Sequence, residues 1–408
     1  MKYVIIGNSA AAVGCIEGIR QKDPEGAITV ISSEPYHTYS RPLISYLLYG
    51  KTDEQRMKYR PDSFYQDQKC TAMLGRTVEK VEPEAKKVIL ENGETVPYDK
   101  LLIATGSSPL IPPMKGLETV KQQFTFLSLD DAKALEKAIS PESRVLIIGA
   151  GLIGLKCAEG ICDRVKQITV VDLADRILPS ILDEEGSGIV QKHIEKKGIQ
   201  FYLNDSAAEL SEGHAVLKSG TELEFDVLVV AVGVRPNIGL AAEVGAKTER
   251  GIVTNEKCET TLSDIYAAGD CAQSHDITTG QDRVLALLPN AYMQGECAGI
   301  NMAGGEKRFD KAIPMNAIGF FGLHIITAGT YDGEVYAVQK GQAYKKLFTK
   351  ENRLMGYILI GEIERAGIYT SLIREKTPLD SIDFDLIREK PQLMAFSKKE
   401  RNRFLANR

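Results

Sequence analysis

Two glycine-rich turns are the segments of this chain best suited to hold nucleotide phosphates. The stronger is Gly149-Ala150-Gly151-Leu152-Ile153-Gly154, preceded by the apolar run Arg144 to Ile148 and followed by Leu155 to Cys162, which can continue as a helix. Strand, turn and helix in that order form a dinucleotide-binding unit: the glycines permit a tight turn and close backbone approach to a pyrophosphate at the positive end of the helix dipole. Ile168 to Val171 reads as the next buried strand, and Asp172 ends it where a carboxylate accepts hydrogen bonds from a ribose diol. A 2'-phosphate would meet that charge unfavourably, so NAD is favoured over NADP, although Arg176 can offset a phosphate.

The first turn along the chain is degenerate: Gly7-Asn8-Ser9-Ala10-Ala11-Ala12 carries Ser and Ala where further glycines normally sit, and both replacements are small. Lys2 to Ile6 reads as its strand and Ala10 to Gln21 as its helix. Ile28 to Ile31 reads as the following strand, which puts Glu34 near the ribose position. An alanine-rich helix start packed on a sheet would look the same in isolation.

These elements need a large core to hold them, and 408 residues suffice for two or three domains. A hydrophobic fraction of 43% and a charged fraction of 26% are ordinary for a globular protein, and a net charge of -5 gives no reason to expect nucleic acid. No apolar stretch reaches bilayer-spanning length. Cleavage within Met1 to Ala12 as a leader would destroy the first turn, so the segment reads as a strand and a cytoplasmic location is expected. The seven cysteines, at 15, 70, 157, 162, 258, 271 and 297, contain no Cys-x-x-Cys pair. Neither a disulfide framework nor a metal or cluster ligand set is expected, and the thiols read as buried structural residues.

Short apolar strands alternate with helical segments twice over, which predicts α/β architecture with parallel sheets. The expected division is a discontinuous domain of residues 1–112 and 243–311 carrying the first turn, and a second domain over 113–242 with strands at Leu146 to Ile148, Ile168 to Val171, Ile199 to Leu203 and Val227 to Val232. A third, α+β domain is expected over 312–408, with strands Tyr344 to Thr349 and Leu354 to Ile360 around Lys350-Glu351-Asn352. The end, Lys398-Lys399-Glu400-Arg401-Asn402-Arg403, is locally basic; it reads first as a solvated helix and second as a docking patch for an acidic carrier.

Several segments resemble the FAD/NAD-dependent pyridine nucleotide-disulfide oxidoreductase superfamily, nearest to the rubredoxin reductases and the flavoprotein portion of NADH-dependent nitrite reductase large subunits. Tyr98-Asp99-Lys100-Leu101-Leu102-Ile103-Ala104-Thr105-Gly106 is similar to the family's strand and Ala-Thr-Gly turn, and Val232-Gly233-Val234-Arg235-Pro236-Asn237 to its counterpart at the exit from the NAD domain. Ile265 to Asp270 resembles the second flavin motif, and Arg353 to Glu362 the hairpin that follows the flavin domain. The fold implied is two Rossmann-like, glutathione-reductase-like domains plus a small C-terminal α+β domain.

The cofactors implied are FAD and NAD. For FAD the resemblance implies Gly7, Ser9, Ala10, Ala11 and Ala12 at the turn, with Glu34, Arg41, Pro42 and Val78, then Ala104, Thr105, Gly106, Gly269 and Asp270. In physical terms, Asp270 at a strand end accepts from ribityl hydroxyls. For NAD it implies Gly149, Gly151, Leu152, Ile153, Gly154, Asp172, Val232 and Gly233.

Three departures bear on mechanism. Tyr36 to Leu48 contains no cysteine, so a thiol relay through that helix is excluded. Tyr46 stands where related reductases often carry lysine, leaving Arg41 as the expected cation near the flavin; a solvated Arg41 is the alternative. Lys156 replaces a common glutamate, and Glu159 lies one turn away, able to pair with it. Arg41, Pro42, Lys156 and Glu159 are therefore the flavin-adjacent candidates.

The resemblance implies electron transfer between NAD(H) and an iron-sulfur carrier on a partner, ferredoxin or rubredoxin, one version being the ferredoxin-like subunit of a carbon monoxide dehydrogenase system. A homo-oligomer or a complex subunit fits the same reading. The portions of nitrite reductase that hold iron-sulfur and sirohaem groups have no counterpart here, so nitrite reduction by this chain alone is not expected. The alternatives are an NADH oxidase and a flavin-bound interaction or sensor protein.

Overall fold

The computed structural model describes residues 1–397 and 401. Packing divides the chain into two compact units. One comprises Met1–Asp175, Gly198–His275 and Asp282–Asp310; the other comprises Arg176–Lys197, Asp276–Gln281 and the chain from Lys311 onward.

The first unit opens with β1 (Lys2–Ile6), α1 (Ala10–Arg20), β2 (Ala27–Ser32), α2 (Ile44–Leu48), β3 (Cys70–Leu74) and β4 (Lys100–Ile103). Next come β5 (Gln123–Phe124), α3 (Leu129–Ala138), β6 (Arg144–Ile148), α4 (Leu152–Ile161) and β7 (Gln167–Val171). The second unit then takes α5 (Glu184–Glu195), before β8 (Gln200–Tyr202), β9 (Val227–Val230), β10 (Ile265–Ala267) and α6 (Leu288–Met302) complete the first.

Among the described residues these strands form two parallel sheets, ordered β10-β4-β1-β2-β3 and β8-β7-β6-β9-β5. Parallel strands buried on both faces need continuous apolar runs, and Lys2 to Ile6 and Arg144 to Ile148 supply them. Each sheet reverses its strand order beside the turn after β1 or β6, the crevice in which α/β folds bind nucleotides.

Helix α1 packs unusually close to α6, because glycines face backbone on both sides. A Cβ on Gly14 would lie 2.2 Å from the Tyr292 carbonyl oxygen, and one on Gly18 2.5 Å from that of Glu296. In the other direction, Gly295 and Gly299 would place Cβ atoms 1.9 Å from Ala11 O and 2.1 Å from Cys15 O. Arg60 and Tyr292 reinforce the crossing: Arg60 binds both carboxylate oxygens of Glu17, and the Tyr292 hydroxyl donates to Glu17 Oε2 at 2.6 Å.

In the second unit, β11 (Met315–Phe320), β12 (Leu323–Gly329), β13 (Glu334–Lys340), β14 (Ala343–Lys350) and β15 (Arg353–Ile360) make an antiparallel sheet ordered β11-β12-β15-β14-β13. Glu351 and Asn352 carry φ of 50° and 60° between β14 and β15, as a two-residue hairpin turn requires. Helices α7 (Ala366–Arg374) and α8 (Phe384–Glu389) cover a core that includes Leu347, Tyr357, Leu359, Tyr369, Ile387 and Phe396. Buried hydroxyls there are satisfied, Tyr357 with Thr370 at 2.7 Å and Tyr369 with the Ile387 carbonyl at 2.8 Å.

Helix α5 belongs to this unit by charge as well as by packing. Asp183, its N-cap, accepts from Lys346 Nζ at 2.6 Å and from the Tyr344 hydroxyl at 2.9 Å, and Glu185 accepts from both at 3.2 and 2.6 Å. Burial alone would raise the Asp183 pKa, but Lys346, the Gly186 N–H and Tyr344 outweigh it and hold the carboxyl below its ordinary value.

Candidate functional site

The first turn starts where β1 ends. Gly7 has φ 117°, and a Cβ there would lie 2.1 Å from the Ala104 carbonyl oxygen, so only glycine lets the turn approach the end of β4. Ser9 is the N-cap of α1 but makes no side-chain cap, which leaves the N–H groups of the first turn, from Ala10 to Ala12, without a capping side chain at the positive helix end. Asn8 is wired outward: its amide donates to Tyr36 O at 3.2 Å and its oxygen accepts from the Tyr65 hydroxyl at 2.8 Å, which in turn accepts from Thr38 N at 3.1 Å. Asn8 and Tyr65 were not singled out from sequence, since nothing local marks a residue that acts through a distant loop.

Beyond β2, a cavity is lined by Asn8, Ser9, Ser32, Glu34, His37 and Arg41. Glu34 accepts from the Tyr39 hydroxyl at 2.7 Å and forms an ion pair with Arg41. Burial pulls the Arg41 pKa down, but Tyr39, Glu34 and Asp270 together keep it above its usual value, and the ion pair with Glu34 holds the half-buried side chain. Pro42 opens the short turn after it and is exposed. Two polar atoms at this loop, His37 Nε2 and Thr38 Oγ1, are buried without a hydrogen-bond partner among the described residues.

Asp270 follows β10 through Gly269, whose φ is 84° and whose N–H donates to Gln294 Oε1 at 2.9 Å. Its carboxylate receives a bond from Ser107 Oγ at 3.3 Å. Burial raises its pKa above the ordinary carboxylate value, opposed by Ser107 and the charge of Arg41. The crossing segments are knit by Asn237, which donates from its amide to Thr105 O at 3.0 Å while its own carbonyl accepts from Thr105 Oγ1 at 2.7 Å. Ser107–Pro109 pairs antiparallel with Val234–Pro236 beside it. Asn237 lay within a quoted motif, but its bridging role depends on tertiary contact. Val78 is placed differently from the turn residues: its side chain lies in the core with Val81, Val88 and Leu90.

The second turn repeats the geometry of the first. Gly149 has φ 118° and a Cβ would lie 2.3 Å from Ala231 O; one on Gly154 would lie 2.0 Å from Gly149 O. Gly151 meets nothing within 4 Å, so the turn is open at the place where a pyrophosphate would approach. Leu152 and Ile153 begin α4 just beyond it. Asp172 accepts from Ala150 N at 2.5 Å and Ala174 N at 2.7 Å, which fixes the carboxylate against the turn. Leu173 beside it is 75% exposed, a bare apolar surface just past the end of β7. Val232 is partly exposed, and Gly233 is open to space at φ 128°.

Lys156 pairs with Glu159 on α4, as their spacing predicted, and its ammonium lies 4.4 Å from the centroid of the Tyr46 ring. Helix α2, which carries Tyr46, is pressed on α4: a Cβ on Gly160 would lie 2.9 Å from Ser45 O. The loop holding Arg41 and the helix after the NAD turn are thereby fixed to one another within the first unit. None of the seven cysteines is in a disulfide; five are buried, while Cys70 and Cys162 are partly exposed, so the buried reading fails for those two. Of the basic end, Lys398, Lys399 and Arg403 lie outside the described residues.

Residues 1–295 match the pyridine nucleotide-disulphide oxidoreductase family and residues 314–377 the rubredoxin NAD+ reductase C-terminal domain. The chain belongs to the pyridine nucleotide-disulphide oxidoreductase family, whose cofactors are FAD and NAD(H). It is 32% identical over 391 residues to the NADH-dependent phenylglyoxylate dehydrogenase subunit epsilon of Aromatoleum evansii, covering 93% of this chain and 92% of that one. Against the NADH oxidase of Methanocaldococcus jannaschii it is 33% identical over 321 residues, 76% of this chain and 71% of the relative. The fold matches the covalent putidaredoxin reductase-putidaredoxin complex with TM-score 0.87 at 22% identity, over 95% of this chain and 96% of that one. No helix among the described residues is long and apolar enough to cross a membrane.

The residues present fit both cofactors. Two helix N-termini without side-chain caps suit two pyrophosphates, His37 of the Glu34 cavity has a buried Nε2 without a partner among the described residues, and the half-buried Asp270 carboxylate accepts from Ser107 Oγ at a long 3.3 Å.

Proposed function

We propose that this chain passes electrons between NAD(H) and an iron-sulfur carrier of the rubredoxin or ferredoxin type through bound FAD. The observation that carries the reading is the pair of turns in one unit with no cysteine from Tyr36 to Leu48, in a chain whose C-terminal part matches the rubredoxin reductase domain. When bound, FAD supplies two-electron exchange with NADH and one-electron exchange with a cluster. The Gly7 turn with Ala10, Ala11 and Ala12 holds its pyrophosphate, Glu34 its ribose and Asp270 its ribityl chain, while Ala104, Thr105 and Gly106 border it. Arg41 and Pro42 stand nearest on the loop. The Gly149 turn and Asp172 hold NAD, with Val232 and Gly233 at its far side, and the Lys156–Glu159 pair fixes the helix between the two cofactors. In this reading residues 1–112 and 243–311 are the FAD domain, 113–242 the NAD domain and 312–408 the third, and the protein works in the cytoplasm.

The test is NADH-driven reduction of rubredoxin and ferredoxin compared with oxygen consumption in stopped flow. Faster delivery to oxygen than to either carrier overturns the reading in favour of an oxidase, which the Methanocaldococcus relative supports as the second reading. Failure of NADH to reduce bound flavin within seconds overturns both. The dehydrogenase-subunit relative supports a place in a larger assembly.

Asp172→Ala is expected to weaken NADH binding by about ten- to a hundredfold, because a charge-assisted bond contributes roughly 1.5–3 kcal/mol. The same change removes the acceptor for Ala150 N, so the turn loosens as well. Steady-state kinetics with NADH and NADPH check this; equal efficiency of the two in the unaltered protein removes Asp172 as the discriminator.

A further inference from the structure

We propose that the outer strand of the C-terminal sheet, β13, is a self-pairing edge through which two copies of this chain join into a continuous antiparallel sheet. Among the described residues β13 is the terminal strand of its sheet, paired on one side with β14 from Glu334↔Thr349 to Lys340↔Ala343 with no shift of register. Its other side offers a row of backbone N–H and C=O groups, the ready template that natural sheets blunt with bulges, prolines or interior charges. β13 uses none of these. Its sequence is Glu-Val-Tyr-Ala-Val-Gln-Lys: the charges sit only at the ends, the ladder is regular, and Val335 is 54% exposed.

The occupant follows from the charge pattern. A two-fold axis through Ala337 places antiparallel strands with Glu334 of one copy opposite Lys340 of the other, twice per interface. On that face Tyr336 meets Val338, and on the other face Val335 meets Gln339 and Ala337 meets itself. Opposite charges therefore close both ends of an uncharged centre, and directly opposed residues are the pairs that stabilise a sheet. A strand complementary to its own reverse fits a second copy of this chain, the isologous interface of a two-fold dimer. A slip by one residue would put side chains on the wrong faces and lose both charge pairs, so the register is specific.

Sedimentation velocity of the full chain over a concentration range tests this. The unaltered protein should dimerise. Glu334→Lys alone and Lys340→Glu alone should each raise the dimer dissociation constant about tenfold or more by opposing like charges, and the double variant should restore it. Both residues are exposed, and circular dichroism with thermal melting confirms that each variant is folded. Ala337→Cys should crosslink into a dimer under mild oxidation, since directly opposed residues bring their Cβ atoms within about 5 Å. A protein monomeric at all concentrations, a dimer indifferent to the single reversals, or a dimer that Ala337→Cys does not crosslink overturns the proposal.

Discussion

Exchanging Asp270 for alanine is expected to lower FAD retention by about ten- to a hundredfold while leaving a folded protein. The half-buried carboxylate lies between Ser107 and the field of Arg41, with capacity left to accept hydroxyl donors. A hydrogen bond to a charged acceptor contributes roughly 1.5–3 kcal/mol, and about 1.4 kcal/mol is a factor of ten in binding. The flavin-to-protein ratio after desalting, and titration of the flavin-free protein, measure it; full retention of FAD would remove Asp270 from the site. A second effect has a definite sign. Burial raises the Asp270 pKa in the folded chain, so the native state binds its proton more tightly than the unfolded state does. Stability of the flavin-free protein then falls as pH rises from the ordinary carboxylate value through the raised one. Asp270→Asn should flatten that slope and stabilise the flavin-free fold at neutral pH, even as it weakens FAD binding.

Gly295→Ala should be among the most damaging single methyl additions in the chain. Its Cβ would sit 1.9 Å from Ala11 O, a backbone atom on a helix that is itself packed on all sides, so α1 and α6 must separate. Overpacking of this kind costs about 1–3 kcal/mol and occasionally more. The strain falls on the first turn of the helix that follows Gly7, so flavin content should drop with stability. Gly188→Ala is the matched control: it lies within α5, a Cβ there meets nothing within 4 Å, and the helix should gain up to about 1 kcal/mol. Urea unfolding of both variants, followed by circular dichroism and flavin fluorescence, checks the opposite signs. Equal midpoints would contradict the close-packed crossing.

What periodicity and glycine spacing specify, the sequence displayed. The run Arg144 to Ile148 is β6 residue for residue, Lys2 to Ile6 is β1, and the helix from Ala10 ends at Arg20, one residue short of the expected Gln21. The strand expected to run to Val232 stops at Val230, because the chain turns there through Gly233 with φ 128°. The family resemblance holds over both matched regions. The site was legible where a residue's type alone makes the interaction, as at Gly7 and Gly149, whose missing Cβ can be read from a motif. It was not legible where the interaction depends on a distant partner. Glu34 was expected as a ribose acceptor, yet nothing in its spacing shows that Arg41 and Tyr39 bind it in the folded chain. Asn8, Tyr65 and Asn237 stayed hidden for the same reason, since their neighbours are brought by tertiary packing. Helix α5 lies inside the nucleotide-binding span of the sequence, and only its contacts assign it to the C-terminal unit.

That assignment bears on how the protein can be taken apart. A gene fragment opening at Lys311 encodes the whole antiparallel sheet but omits Asp183 and Glu185, stranding the Lys346 ammonium and the Tyr344 hydroxyl without their carboxylates. The C-terminal unit is therefore not contiguous in the gene: a graft of the whole unit must carry Arg176–Lys197 and Asp276–Gln281 along with it.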